Sequence, residues 1–173
     1  MAVIIAFALA GNSDSGKPAA KSSGPPSPLT VSAPPANTAA DGPCAQVLSA
    51  LPVQLGQLAP RVVHTKPDSP NVVAWGDPAV VLRCGVPRPD GFVATSDVYN
   101  VGGVYWLAQK QKTATVWTVI DRSVYVEVTV PEKQDYQPLP LLGKAIGSKL
   151  KPICAVPEDS NIPRDDQLCV NRK

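Results

Sequence analysis

The sequence has few of the residues from which catalytic and metal sites are built. It contains a single histidine, His64, and none of its four cysteines forms a C-x-x-C pair. A Ser-His-Asp or Cys-His site needs its other members to converge on one imidazole, and zinc sites are usually built from closely spaced cysteine pairs. We therefore expect His64 to be a satisfied or solvent-facing side chain, and we predict no metal, no cofactor and no catalytic residue.

A strong excess of charge is also missing. The 173 residues include 16 Lys and Arg against 14 Asp and Glu, a formal net charge of +2, without a long run of either sign. Nucleic-acid-binding proteins normally display a basic patch or stripe. The composition therefore excludes nucleic acid as the predicted partner.

No apolar run reaches the roughly 20 residues that span a bilayer. Residues 1–10 are apolar and uncharged, and Ala8-Leu9-Ala10 before Gly11 fits a signal cleavage site, although a positively charged start is missing. We interpret residues 1–10 as a truncated signal or anchor segment. Three interpretations of this segment stay open: a cleaved signal, a membrane anchor, and the apolar terminus of a cytosolic protein. Four cysteines without metal-type spacing favour an exported, extracytoplasmic protein, secreted or anchored to the cell membrane.

Residues 11–43 are rich in Pro, Ser, Ala and Gly and show no apolar periodicity. Such a segment cannot offset the entropy cost of folding, so we predict a disordered tether. Gly11 to Lys17 matches all but the last position of a phosphate-binding P-loop, whose next residue supplies a hydroxyl to magnesium. Here that residue is Pro18, and we reject the match.

Two helices are predicted in a folded domain over residues 44–154. The first begins near Cys44, and its apolar stripe is formed by Val47, Leu48, Leu51, Leu55 and Leu58. Pro52 should bend or split this helix, and Pro60 should end it. The second runs from about Pro138 to Leu150, and its apolar stripe is formed by Leu139, Leu142, Ile146 and Leu150.

Period-two alternation and β-branched residues predict the strands. The predicted strands are 61–65, 72–75, 79–84, 104–108, 113–120 and 124–130. The short polar break 121–123 predicts an antiparallel hairpin between the last two. We predict an α+β fold: a mainly antiparallel sheet of four to five strands, with two helices packed on one face. Residues 155–173 should form a polar C-terminal tail tied by Cys169.

Four cysteines allow three pairings. We favour Cys44 with Cys84, which ties the first helix to a central strand, and Cys154 with Cys169, which staples the tail. The alternative, a zinc site formed by all four, lacks the usual spacing.

The chain resembles an actinobacterial, mycobacterium-like family of exported or membrane-anchored envelope proteins known only as a domain of unknown function. The resemblance covers roughly Cys44 to Cys154. It is carried by Cys44 before a Leu-rich helix, Trp75-Gly76-Asp77-Pro78, Val81-Leu82-Arg83-Cys84-Gly85-Val86, Val101-Gly102-Gly103-Val104-Tyr105-Trp106, Thr118-Val119-Ile120-Asp121-Arg122 and Val126-Glu127-Val128-Thr129-Val130-Pro131. The resemblance implies an N-terminal signal or anchor, and it implies no activity.

Aromatic residues form the main candidate binding site. Trp75 and Trp106 could form a platform for a glycan or a protein, with Tyr105 and Arg83 as polar partners. The competing interpretation is that these rings cover an edge of the core, as most tryptophans on strands do.

The sequence thus predicts an exported, non-catalytic module that binds a protein or a glycan at the cell envelope. One alternative is a small envelope hydrolase that uses two of four carboxylates, Asp77, Asp97, Asp121 and Glu127, within about 5 to 9 Å of each other. Another is a structural subunit of a membrane complex, held in the membrane by an uncleaved N-terminal segment.

Overall fold

A computed structural model of the chain describes residues 26–134 and 137–155. These residues form nine strands and two helices. In chain order they are β1 (Leu29–Ser32), α1 (Thr38–Ala50), β2 (Pro60–Arg61), β3 (Val63–Lys66), β4 (Val72–Trp75), β5 (Val80–Val86), β6 (Val98–Val101), β7 (Val104–Lys110), β8 (Ala114–Val119), β9 (Tyr125–Pro131) and α2 (Leu139–Lys149).

Seven of the strands form one sheet in the order β2-β4-β5-β9-β8-β7-β6. All its neighbours pair antiparallel. The expected α+β class is therefore confirmed, as is the hairpin formed by β8 and β9, but the sheet is larger than the predicted four to five strands. The additional strands are β2, which has only two residues, and β6, where no strand is predicted from the sequence.

A separate two-stranded sheet is formed by β1 and β3, which run parallel. The predicted strand 61–65 is thus divided between two sheets, because Arg61 belongs to β2 and Val63 begins β3. The position of β1 also corrects the predicted tether, because Leu29–Ser32 lies within 11–43 and has regular structure. Residues 1–25, which include the predicted signal segment, lie outside the described residues.

The first helix is shifted toward the N-terminus relative to the prediction. It begins at Thr38, before Cys44, where the side chain of Asn37 accepts a hydrogen bond from the backbone N–H of Ala39. It ends before Leu51, whose backbone is extended, as expected for a residue that precedes a proline. Leu55 and Leu58, predicted on the helix, instead bond to each other through an isolated bridge.

The core is one large cluster that contains buried side chains of the sheet and of both helices. It includes Val80, Leu82 and Cys84 of β5 together with residues such as Val47 and Leu142 from the helices. The two helices contact each other, α1 also contacts β5, and α2 contacts β6 and β7. That both helices pack on the same face of the sheet stays a prediction.

A disulfide joins α1 to β5 through the fully buried Cys44 and Cys84, as predicted. Cys154 is also disulfide-bonded. Its predicted partner, Cys169, lies outside the described residues, so that pairing stays a prediction. In the described part of the chain, no helix combines the length and the apolar character needed to cross a membrane.

Candidate functional site

The best candidate site is a cleft between β1 and the large sheet, which we call the β1 cleft. It is an open cleft with a volume of about 460 Å³. Its lining consists of Leu29, Thr30, Val31, Ser32, Val81, Arg83, Gln111, Val116, Glu127 and Thr129. The strand β1 forms one wall, and residues of β5, β8 and β9 form the floor.

Strand register explains why the floor residues lie together. Arg83 pairs with Glu127 across β5 and β9, and Val81 pairs with Thr129 on the same two strands. Val116 of β8 is in turn the register partner of Thr129. Since side chains alternate between the two faces of a sheet, all five residues share one face. The neighbouring positions, such as those of Leu82 and Val128, point to the other face and are fully buried.

An ion pair forms the polar part of the floor. The Nε and Nη2 atoms of Arg83 donate to Oε1 of Glu127 at 2.9 and 2.7 Å. The two side chains are 28% and 16% exposed, so the pair is partly shielded from solvent. A guanidinium has five N–H donors, and Glu127 takes only two of them. Arg83 therefore keeps donors for a ligand carbonyl or carboxylate.

A second arginine holds the chain at the start of β1. Arg61 donates through Nε to the backbone oxygen of Ser27 at 2.9 Å. Its Nη1 donates to the backbone oxygen of Gly76 and to Oδ1 of Asp77, each at 3.2 Å. Arg61 thus links the segment before β1 to the turn between β4 and β5, and so helps to fix the wall of the cleft.

The two predicted platform tryptophans lie in the core. Trp106 is fully buried and donates its indole N–H to the backbone oxygen of Val101 at 3.0 Å. Trp75 is 3% exposed, and its indole N–H points to the backbone oxygens of Pro52 and Val53. Trp75 also borders a separate, mainly apolar groove of about 420 Å³ beside the end of α1. Neither ring is exposed enough to act as a stacking surface.

Tyr105 lies apart from Arg83. Its side chain is half-buried against a small second cluster formed by Phe92, Leu107, Ile120 and Ala155. The backbone N–H of Tyr105 donates to Oδ1 of Asp121 at 3.0 Å. Of the four predicted binding residues, only Arg83 therefore lines the β1 cleft.

The aromatic residues with exposed surface are different ones. Tyr99 of β6 is 47% exposed and meets the half-buried Trp117 of β8 edge to face, with ring centroids 5.5 Å apart. This arrangement does not present two coplanar rings to a ligand. It is a packing contact at the margin of the core, because Trp117 is partly buried and packs against the main core cluster.

The four candidate carboxylates are in different environments. Asp77 and Asp97 are exposed, and Asp77 is bonded to Arg61. Asp121 is fully buried and forms an ion pair with Arg122, whose Nη2 also donates to the backbone oxygen of Gly103 at 2.7 Å. Glu127 forms an ion pair with Arg83 on the floor of the cleft. The two shielded carboxylates thus each bind a guanidinium.

His64 is exposed on β3, as expected for a solvent-facing histidine. Within residues 26–134 and 137–155, no group of three or more His, Cys, Asp or Glu side chains is arranged to hold a metal ion.

The sequence does not predict that the wall residues Leu29–Ser32 and the turn residue Gln111 belong to the site. Only the apolar-polar alternation of Leu29-Thr30-Val31-Ser32 could have indicated a strand there.

Comparison with curated proteins and with solved structures gave no significant match in either set. A family model described as "Protein of unknown function (DUF3515)" matches residues 1–153. Because this match spans more than half of the 173 residues, the chain belongs to that family, whose description assigns no activity.

Proposed function

We propose that this protein is a non-catalytic binding module of the cell envelope and that it binds another protein in the β1 cleft. In this proposal the protein is exported from an actinobacterial, mycobacterium-like cell, and it is either secreted or held at the membrane by its N-terminal segment. The module brings its partner to the envelope and performs no reaction on it.

The observation that carries the binding proposal is the construction of the cleft. Its floor combines apolar and hydroxyl side chains, such as Val81, Val116 and Thr129, with the shielded Arg83–Glu127 pair. Sites that bind ligands are typically concave and mainly apolar, with a few placed polar groups that fix orientation. A protein partner is favoured over a glycan because Trp75 and Trp106 are buried and offer no ring for a sugar to stack on.

Export is supported by the buried disulfide between Cys44 and Cys84. Structural disulfides persist in oxidising compartments and are rare in the cytosol. The actinobacterial envelope is suggested by the sequence resemblance described above. The family description itself makes no statement on location.

The hydrolase alternative is less well supported. Glu127 and Asp121 are each bonded to an arginine, whereas a glycosidase-type reaction needs two carboxylates that flank one scissile bond. A role as a structural subunit of a membrane complex remains the other alternative. It predicts a partner that contacts the chain outside the β1 cleft.

Site-specific photo-cross-linking in an actinobacterial host tests the proposal. A photoreactive amino acid replaces Gln111, which is exposed and lines the cleft, or Ser148, which is exposed on α2. We expect a defined cross-linked protein in the envelope fraction for position 111 and none for position 148. Adding Thr129→Arg, which fills the floor of the cleft, should remove the product. Equal products at both positions, or a product that survives Thr129→Arg, would contradict binding in the cleft.

A further inference from the structure

The hydrogen bonds of β1 show which of its edges is occupied. β1 pairs with β3 in parallel register, Leu29 opposite Val63 and Val31 opposite Thr65. The backbone N–H of Leu29 donates to the oxygen of Val62 at 2.8 Å. In a parallel pair, residues that bond toward the neighbour alternate with residues that point away from it. Leu29 and Val31 therefore bond to β3.

The N–H and C=O groups of Thr30 and Ser32 consequently point to the opposite edge of β1. Among the described residues, β3 is the only strand that pairs with β1, so this edge is open. An open edge presents donors and acceptors at the spacing of a strand and is a template for another extended chain. The wall of the β1 cleft thus includes unpaired backbone groups as well as side chains.

The floor of the cleft suits a strand that lies along this edge. Successive side chains of such a strand point alternately toward and away from the sheet. Those that point inward would meet Val81, Val116 and Thr129, which line the cleft. The half-buried side chains of Leu29 and Val31 on β1 provide further apolar contact. Recognition by strand addition uses this combination of backbone hydrogen bonds and shallow pockets for alternate side chains.

The charges that border the cleft all have one sign. Among residues adjacent to the lining in sequence or in strand register, the charged ones are Lys66, Lys110 and Lys112. Lys110 pairs with Thr115 and therefore points to the face opposite Val116, which leaves Lys66 and Lys112 beside the cleft. Both are exposed, and neither forms an ion pair within the described part of the chain. The acidic residue of the lining, Glu127, is neutralised by Arg83. A partner that carries carboxylates would therefore be attracted to the cleft.

We propose that the partner of the β1 cleft is an extended, acidic polypeptide segment that pairs with the open edge of β1. This inference rests on the proposed function, because it specifies the ligand and the mode of binding at the same cleft. The inserted segment becomes a third strand beside β1 and β3. Its alternate side chains lie on the floor, and its carboxylates lie near Lys66 and Lys112.

A phage-displayed library of randomised nonapeptides, selected on the full chain with its disulfides intact, supplies the probe. We expect the selected peptides to share an alternation of apolar residues and an excess of Asp and Glu. Binding of a labelled selected peptide is then followed by fluorescence anisotropy. A selection that enriches no peptide, or only basic peptides, overturns the inference.

A proline at position 30 tests strand pairing. Thr30→Pro removes one N–H from the open edge, and proline is tolerated on edge strands, so the bonds of Leu29 and Val31 to β3 can persist. We expect Thr30→Pro to weaken peptide binding at least about tenfold, whereas the matched control Thr30→Ala, which keeps the N–H, changes it less than about threefold. Unchanged binding by a folded Thr30→Pro variant overturns strand pairing.

Hydrogen exchange of the unmodified chain gives a second measurement that needs no variant. Adding the peptide should slow exchange of the Thr30 and Ser32 amides, with little change at Leu29 and Val31, which are already bonded. If Thr30 exchanges slowly without peptide and the chain is dimeric, a second copy occupies the edge and the inference is wrong. If Thr129→Arg abolishes binding while the exchange of Thr30 never changes, cleft binding survives and strand addition fails. If Thr129→Arg has no effect, cleft binding itself fails.

Discussion

Gly102 and Gly143 meet at backbone contact, where the turn between β6 and β7 packs on α2. A Cβ added to Gly143 would lie 2.5 Å from the backbone oxygen of Val101 and 3.0 Å from the Cα of Gly102. A Cβ added to Gly102 would lie 2.8 Å from the backbone oxygen of Pro140. The helix can approach the hairpin this closely only because both positions lack a side chain.

Replacing Gly143 with alanine should therefore destabilise the protein. Alanine is preferred over glycine in a helix by about 1 kcal/mol, but the added methyl group must displace backbone atoms, and such overpacking costs about 1–3 kcal/mol or more. We expect Gly143→Ala to lower the free energy of unfolding by about 1–3 kcal/mol. The measurement is equilibrium denaturation in urea.

Gly147 in the same helix provides the matched control. A Cβ added there would meet its nearest atom, Cγ1 of Val104, at 3.4 Å, which is an ordinary contact. Gly147→Ala should leave the stability unchanged or raise it by up to about 1 kcal/mol. Equal effects of the two substitutions would show that helix propensity, rather than close packing, determines the result.

The burial of Trp106 leads to a second prediction. Truncation of a buried tryptophan to alanine typically costs about 3–5 kcal/mol, and here it also removes the hydrogen bond to Val101. We expect Trp106→Ala to lose stability in this range, measured by thermal unfolding. Trp117→Ala should lose clearly less, because Trp117 is only half-buried. A Trp106→Ala variant as stable as the unmodified protein would reinstate a surface role for this residue.

The sequence pattern was most informative where a strand has one face in the core. The alternation from Val124 to Val130 predicted β9, and the polar break before it predicted the hairpin with β8, because burial of one face imposes period two. The strand β6 was missed because it has only four residues. Its local signal is the glycine pair after Val101, since Gly102 and Gly103 both have positive φ, as in a tight hairpin turn.

Long-range contacts explain what the pattern could not show. The strand β1 lies in a proline-rich region, and its partner β3 begins more than thirty residues later in the chain. Nothing within Leu29–Ser32 indicates that pairing, so one wall of the cleft could not be predicted. Arg83 could be selected as a candidate from its position in β5. Its partner Glu127 depends on the register between β5 and β9, which only the fold determines.

The ion pair of Asp121 and Arg122 leads to a third prediction. Both side chains are at least 95% buried, and Nε of Arg122 has no hydrogen-bond partner among the described residues. Removing one member of a buried pair leaves the other charge uncompensated and costs about 3–5 kcal/mol. Asp121→Asn keeps an oxygen for the N–H of Tyr105 but removes the countercharge. We expect it to lower the free energy of unfolding by an amount in this range.

A double-mutant cycle separates the charge effect from other contributions. Arg122→Met removes the cation, so Asp121→Asn should cost less in an Arg122→Met background than in the unmodified chain. The expected coupling energy is about 0.5–3 kcal/mol, the range for residues in one network. Chemical denaturation of the four proteins measures it. Strictly additive effects would show that the pair contributes nothing beyond the separate contacts of its members.

The disulfide between α1 and β5 gives the final prediction. Cys44 and Cys84 are separated by 40 residues, and closing a loop of that length stabilises a protein by about 4 kcal/mol in the chain-entropy model. We expect the double variant Cys44→Ala/Cys84→Ala to lose about 3–4 kcal/mol, because its unfolded chain is no longer restricted by this cross-link. Urea denaturation of the oxidised proteins measures this loss.

Reduction provides the internal control, because Cys154 is disulfide-bonded as well. A reductant should destabilise the unmodified chain more than the double variant, and the difference between them reports the Cys44–Cys84 bond alone.

The oxidation state of the Cys44–Cys84 bond in cells tests whether the protein is exported. Alkylation of free thiols while intact cells are lysed in denaturant, followed by mass spectrometry, should leave Cys44 and Cys84 unmodified if the protein is exported, because the cytosol keeps such thiols reduced. Denaturant is needed because both cysteines are fully buried in the folded chain. Complete labelling of both cysteines in the mature protein would contradict export, whatever the stability of the purified chain.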